Sequence, residues 1–254
     1  MHLIDTHTHI YLPEFDNDRG TTIQRSLTNK IEGFVLPNID SSTIPSLHKL
    51  HQEYPKHTFP LMGLHPTSVE EDYKKELDVI GQYLNEGKYF GVGEIGMDLY
   101  WDQTFKQEQI DALKIQLKWA QDKDLPVVIH TRDSFSETLE VIETVGGSHR
   151  GIFHCFGGSL DEANQAIDMG FSLGIGGVLT FKNSGLSDVI QHIDPKHLVL
   201  ETDAPYLAPV PKRGKRNEPA YLIYTLIKLA DIFSMHRDEI AGITTANAQK
   251  IFGI

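Results

Sequence analysis

Pro126-Val127-Val128-Ile129-His130 is an unbroken apolar run closed by a histidine. A run this short suits a strand, and its lack of polar alternation suits one buried on both faces, as in a parallel sheet covered by helices. The same form recurs along the chain in Leu3-Ile4, Gly33-Phe34-Val35-Leu36, Pro60-Leu61-Met62-Gly63-Leu64, Phe90-Gly91-Val92-Gly93, Gly151-Ile152-Phe153, Phe171-Ser172-Leu173-Gly174-Ile175 and Leu198-Val199-Leu200. Together these make about eight candidate strands. Helical segments separate them. Ser68-Val69-Glu70-Glu71, Ser134-Phe135-Ser136-Glu137 and Ser159-Leu160-Asp161-Glu162 each fit a capping box and predict helix starts. Residues 105–123 place Ile110, Leu113, Leu117 and Ala120 on one helical face, and residues 221–233 do the same with Leu222, Leu226 and Leu229. No linker or compositional break interrupts the alternation. The expected fold is therefore α/β, a closed (β/α)₈ TIM barrel forming a single domain over residues 1–254, in preference to an open doubly wound sheet. A last helix over residues 238–252, with Gly253 as C-cap, is expected outside the eight repeats.

Composition narrows the function. Apolar residues make up 40% and charged residues 23%, and no apolar run approaches the ~18 residues that span a bilayer, so no membrane partner is expected. Met1-His2-Leu3-Ile4-Asp5 lacks a basic stretch followed by an apolar one, which predicts a cytoplasmic protein. The single cysteine, Cys155, excludes an intramolecular disulfide framework and a Cys-rich zinc site, so any metal must be held by histidine and carboxylate. A formal net charge of -12 argues against non-specific wrapping of nucleic acid; a phosphate-handling site needs local compensation. Of the thirteen histidines, His48, His51, His57 and His236 lie in polar surroundings and read as surface residues.

Metal-capable or acidic residues follow nearly every strand: Asp5, His7 and His9 after the first, His65 after the third, Glu94 after the fourth, His130 after the fifth, His154 after the sixth, Glu201 and Asp203 after the eighth. In a barrel these positions converge on the C-terminal face. His7 and His9, two apart, point to one side of an extended segment and can reach one ion. His130 and His154 supply a second pair. Glu94 ends a buried strand, where an unpaired carboxylate is costly, and it stands between the two pairs as the best-placed bridge for two cations. Asp203, at the mouth of the eighth strand, is a candidate ligand that also accepts a proton from attacking water. The segment from Pro209 to Pro219 holds Lys212, Arg213, Lys215 and Arg216 in an otherwise acidic chain, and would overhang the same face, where it suits phosphate.

Taken together, Asp5-Thr6-His7-Thr8-His9, Gly63-Leu64-His65-Pro66, Gly93-Glu94-Ile95-Gly96-Met97-Asp98, Ile129-His130-Thr131-Arg132, Phe153-His154-Cys155-Phe156, Glu201-Thr202-Asp203-Ala204-Pro205-Tyr206-Leu207, the run 213–219 and Thr245-Ala246-Asn247-Ala248 resemble the TatD family of metal-dependent deoxyribonucleases, within the amidohydrolase-like superfamily. The resemblance implies a DNA phosphodiesterase, typically an exonuclease, with divalent ions on His7, His9, Glu94, His130, His154 and Asp203, and with His65 near the substrate. The sequence departs from many relatives at Thr8, Tyr11, Met97 and Leu99. None of these removes a ligand; Tyr11 and Leu99 are the positions where substrate contacts would change.

The expected chemistry uses two divalent ions (Zn²⁺, Mn²⁺, Ni²⁺ or Mg²⁺) to neutralise a phosphate and acidify an attacking water whose proton passes to Asp203. Arg132, Lys212, Arg213, Lys215 and Arg216 are candidate phosphate contacts, and His65 is placed to steady the substrate or leaving oxygen. The expected partner is DNA with single-stranded or frayed ends; no obligate protein partner is evident. The rival is a small-molecule hydrolase (lactonase, amidase or phosphotriesterase-like) on the same barrel. Net acidity favours that rival, and the basic run argues against it.

Overall fold

A computed structural model of the chain describes residues 2–100 and 102–254. Strands β1 (Leu3–Asp5), β2 (Ile31–Leu36), β3 (Thr58–Pro60), β4 (Val92–Asp98), β5 (Val127–Arg132), β6 (Gly151–Phe153), β7 (Phe171–Ile175) and β8 (Leu198–Leu200) alternate with helices. The helices are α1 (Arg19–Thr28), α2 (Ile44–Glu53), α3 (Tyr73–Glu86), α4 (Lys106–Asp122), α5 (Phe135–Val145), α6 (Leu160–Asp168), α7 (Leu186–Ile190), α8 (Leu222–Phe233) and α9 (Arg237–Phe252). Every ladder is parallel and joins neighbours in sequence, β1 to β3 and β4 to β8. Two seams close the ring. Gly93 N–H donates to Met62 O at 3.1 Å between the third and fourth strands, and Thr6 N–H donates to Leu200 O at 3.0 Å between the eighth and first. The architecture is the expected (β/α)₈ barrel.

A period of two decides which strand residues face the site. Val127 and Ile129 of β5 pack with the helices, whereas Val128 belongs to a separate cluster with Val35, Leu61, Ile152 and Val199. That cluster is the barrel interior, because alternate strand residues point to opposite faces. The parity carries on from Val128 to His130, from Ile152 to His154 and from Val199 to Glu201, so polar side chains gather above an apolar floor at the C-terminal mouth. Helix α9 closes the other mouth: its Ala248 and Phe252 join the interior cluster, with Ile251 and Ile254 packed against it. It lies beyond the eight repeats, as expected, and Gly253 (φ 69°) is its left-handed C-cap. Gly151, at φ 153°, is required where β5 and β6 approach, since a Cβ there would meet Val127 O at 1.9 Å.

Of the expected capping boxes only Ser159 with Glu162 forms. Ser134 does precede α5, but its hydroxyl donates to Met97 O at 2.6 Å and accepts from Arg132 N–H at 3.1 Å. It ties strand ends together instead of capping. Ser68 ends a 3-10 turn and donates to Asp40 Oδ2 at 3.3 Å, while α3 starts later, at Tyr73. On α4, Leu113, Leu117 and Ala120 are buried as expected, but Ile110 is only partly so. Two glutamines share the inner face. Gln116 bonds both backbone groups of Leu64, and Gln109 both of Asp98, bracing two strand ends that border the site. Three of the four histidines expected at the surface are half-buried: His48 bonds Tyr89, His51 bonds Thr58 and His57 bonds the Glu32 carbonyl. Only His236 is exposed, and it accepts the Asp238 N–H at the start of α9.

Candidate metal centre

Glu94 is 2% exposed, and its two oxygens face different partners. Oε2 lies 3.0 Å from His7 Nε2 and 3.5 Å from His9 Nε2. Oε1 lies 2.7 Å from His154 Nε2, 2.8 Å from His130 Nδ1 and 3.1 Å from His65 Nε2. Asp203 Oδ1 approaches the first group, at 3.7 Å from His7 and 3.6 Å from His9. The two groups touch, because the His7 and His154 rings stack at 3.9 Å. Five strand ends thus bring together six polar side chains, the Glu94 carboxylate and five grouped with it, with His65 beside them. Sets of ligand atoms within 4.8 Å of one another are His7, His9 and Glu94; His7, His154 and Asp203; and His65, Glu94 and His130.

Two further residues, Asp98 and Tyr11, orient rings of the cluster, and a third, Glu201, lies close to one. Asp98 Oδ2 lies 2.9 Å from His130 Nε2. An ionised carboxylate only accepts, so Nε2 carries the proton and Nδ1 turns a lone pair to the site. Tyr11 is fully buried; its hydroxyl donates to Pro37 O at 2.5 Å and lies 3.0 Å from His9 Nδ1. Its proton being committed, the hydroxyl accepts from His9 and leaves Nε2 free to face Glu94 and Asp203. Tyr11 thus steers the His9 ring from a fully buried position. Leu99, another of the departures, is 4% exposed and packs in the core. Glu201 lies beneath His154, Oε1 3.7 Å from its Nδ1 and accepting the Cys155 N–H at 2.5 Å. Gly174 makes room for it, since a Cβ there would meet Glu201 Oε2 at 2.1 Å. Counting in twos finds both acids: Asp98 from Glu94, and Glu201 from Val199. Asp5 takes a structural part, accepting from Thr202 N–H at 2.9 Å and Thr202 Oγ1 at 2.5 Å, and so joins β1 to β8.

Electrostatics favour a cation here. Burial pushes the Glu94 carboxyl up, but the charges of His154, His65 and His7 outweigh it and hold it well below the usual carboxylate range. Burial, with the charge of His154, lowers His7; burial also lowers His65 despite Glu94. Burial raises Asp203 to about 6, against the lowering pull of His154 and His9. His7 Nε2 and His9 Nε2 lie 3.1 Å apart, as do His130 Nδ1 and His154 Nε2. With Asp98 and Tyr11 fixing the tautomers, His130 and His9 turn lone pairs toward carboxylate oxygens. Only an added proton or a cation reconciles such acceptors, and imidazole with carboxylate is a donor set for Zn²⁺, Mn²⁺ or Ni²⁺. The residues fit a metal.

The basic residues divide. Arg132 is exposed at the end of β5, its guanidinium 3.7 Å from the Tyr100 ring centre. Lys215 is exposed. Lys212 Nζ sits 5.1 Å from the Tyr221 ring, and Arg213 stacks 3.9 Å over Phe181. Arg216 departs from the expectation of a phosphate contact. Both its terminal nitrogens bond Asp18, at 2.8 and 2.7 Å, and the group lies 4.3 Å over Phe15. Asp18 in turn lies 3.7 Å from Arg25, which forks onto Glu218 at 3.0 and 2.7 Å. Arg216 therefore fastens the loop to the β1–α1 connection.

A (β/α)₈ barrel with buried histidines and acids at its C-terminal mouth has the build of a metal-dependent hydrolase. The TatD related DNase family matches residues 4–253, and the chain belongs to that family. It is 35% identical to a Bacillus subtilis protein named an uncharacterized metal-dependent hydrolase, YabD, over 99% of each chain. It is 29% identical to the 3'-5' ssDNA/RNA exonuclease TatD of Salmonella typhimurium, over 99% of each. Among solved structures, the Escherichia coli TatD homologue YjjV superposes with a TM-score of 0.93 at 29% identity, covering 99% of this chain and 98% of its own. The protein is a metal-dependent hydrolase of the TatD family.

Proposed function

We propose that the protein hydrolyses phosphodiester bonds of DNA as an exonuclease, acting on single-stranded or frayed ends, with two divalent ions for which His7, His9, Glu94, His130, His154 and Asp203 would be the ligands. The observation that carries this reading is the division of Glu94, one oxygen toward His7 and His9 and the other toward His130 and His154. Bound divalent cations supply Lewis acidity toward a phosphoryl oxygen and a more acidic attacking water. Asp203, 14% exposed at the rim of the group, takes the water's proton. His65, at the edge of the cluster, positions the substrate oxygens, its Nδ1 accepting the Thr67 N–H at 3.1 Å so that Nε2 points inward. Arg132, Lys212, Arg213 and Lys215 attract the phosphates, compensating locally for the net charge of -12. The activity for which the Salmonella relative is named agrees with this substrate class.

A small-molecule hydrolase is the second reading, favoured by the commitment of Arg216 to Asp18. One assay separates the two. Chelator-treated protein reloaded with Zn²⁺, Mn²⁺, Ni²⁺ or Mg²⁺ is offered end-labelled single- and double-stranded oligonucleotides, and separately lactones and amides. Stepwise shortening from one end is expected; turnover of a lactone or amide with intact oligonucleotides overturns the nuclease reading.

A further inference from the structure

Tyr206, Leu207 and Val210 lie three, four and seven positions after Asp203 and are exposed to 49%, 36% and 47%. Exposed large apolar side chains grouped together mark a binding surface more often than ones scattered singly. The backbone beneath them is braced by hydrogen bonds. Tyr206 N–H donates to Asp203 O at 2.8 Å, and its carbonyl accepts from Asn217 Nδ2 at 2.7 Å. The same Asn217 nitrogen reaches Thr202 O at 2.8 Å, which locks the ledge to the end of β8. Val210 N–H donates to Thr180 Oγ1 at 2.8 Å, and at Gly177 a Cβ would meet Leu207 O at 2.2 Å, so the ledge is seated closely on its neighbour. The Tyr206 ring stands 6.3 Å from the His9 ring at 64°, beside the donors of the first group. Arg213 follows within the same loop, stacked on Phe181.

An exposed aromatic face on a braced backbone next to a phosphate-directed centre matches what an unpaired base requires, because every base offers a π-face and an aromatic side chain has few torsions to lose. We propose that Tyr206 is the stacking platform for the terminal nucleobase of a single strand, bringing the adjacent phosphodiester to the Glu94 cluster. This rests on the nuclease reading. It makes the enzyme select strands whose last base is unstacked from a complement, since a paired base has no free face to offer.

The test uses metal-reconstituted wild type, Tyr206→Ala and Tyr206→Phe. Each is assayed on a single-stranded oligonucleotide and on the same strand with abasic tetrahydrofuran residues at both ends. Wild type should show a KM about tenfold higher on the abasic strand, the ratio equal to about 1.4 kcal/mol of stacking. Tyr206→Ala should raise KM about tenfold on the normal strand and leave it unchanged on the abasic one, with kcat little altered. Tyr206→Phe keeps the π-face and should behave as wild type. Equal losses on both strands, or a Phe variant as weak as the Ala variant, overturns the stacking role while leaving the nuclease intact. Wild type cleaving neither strand removes the nuclease reading and this proposal together.

Discussion

At Asp98 and Tyr11 the difference between one oxygen and one nitrogen, or one hydroxyl and none, decides which way an imidazole lone pair points. Asn in place of Asp98 has a single acceptor oxygen, for which the Tyr100 N–H and the His130 Nε2–H would compete, so one loses its partner and the ring its fixed orientation. Asp98→Asn should weaken metal binding about 10–100-fold, read by competition with a chromophoric chelator. Tyr11→Phe deletes the acceptor of His9 Nδ1 at a fully buried position and should act in the same direction. If both variants bind metal as wild type does, the rings are oriented by something else. At Asp203, the Asn variant should fold normally while kcat falls about 10²–10⁴-fold, the range for a lost general base; near-normal turnover would remove its catalytic role.

The basic loop and α1 behave as one element because Arg216, Asp18, Arg25 and Glu218 link them. The hydrogen bond from Arg216 holds the Asp18 carboxyl below its ordinary range, against a small upward push from burial. A carboxylate depressed on folding stabilises the folded state above the unfolded carboxylate range, and that contribution is lost as pH falls through the folded value. The side chain is 36% exposed, so screening keeps the effect near the surface scale of roughly 1 kcal/mol. Asp18→Asn should therefore lower Tm by about 2–4 °C at neutral pH. Melting curves of variant and wild type should converge under acid conditions and in high salt. Lys215→Ala, at an exposed side chain, should leave Tm unchanged; a matching drop would show that loop charge in general, not the Arg216 link, sets stability.

Across the whole molecule the two mouths of the barrel do different work. One gathers the ionisable side chains, and the other is sealed by α9, whose Phe252 is 5% exposed and packs onto the interior cluster. Phe252→Ala should cost about 3–5 kcal/mol in denaturant unfolding, as large-to-small changes in a packed core do. Metal affinity of the folded variant should stay at the wild-type level, because the floor between the mouths is packed by Val35, Leu61, Val128, Ile152 and Val199. A parallel loss of metal affinity would mean that the floor yields and the mouths are coupled.

The strands, their order and the facing of His130 and His154 were legible in the sequence, since period-two alternation is a local property that survives any packing. So was the gathering of His7, His9, Glu94 and Asp203, because parallel strands in a closed barrel send their C-terminal ends to one place. Partnership was not. The helix start signals at Ser68 and Ser134 lost their hydroxyls to Asp40 and Met97, and Arg216 left the phosphate-facing set for Asp18, 198 positions away. Tyr11 gained its role only when the fold set its hydroxyl between His9 and the Pro37 carbonyl. A sequence fixes which face a side chain takes. Which atom it meets there depends on contacts between distant segments, and only the closed barrel brings them together.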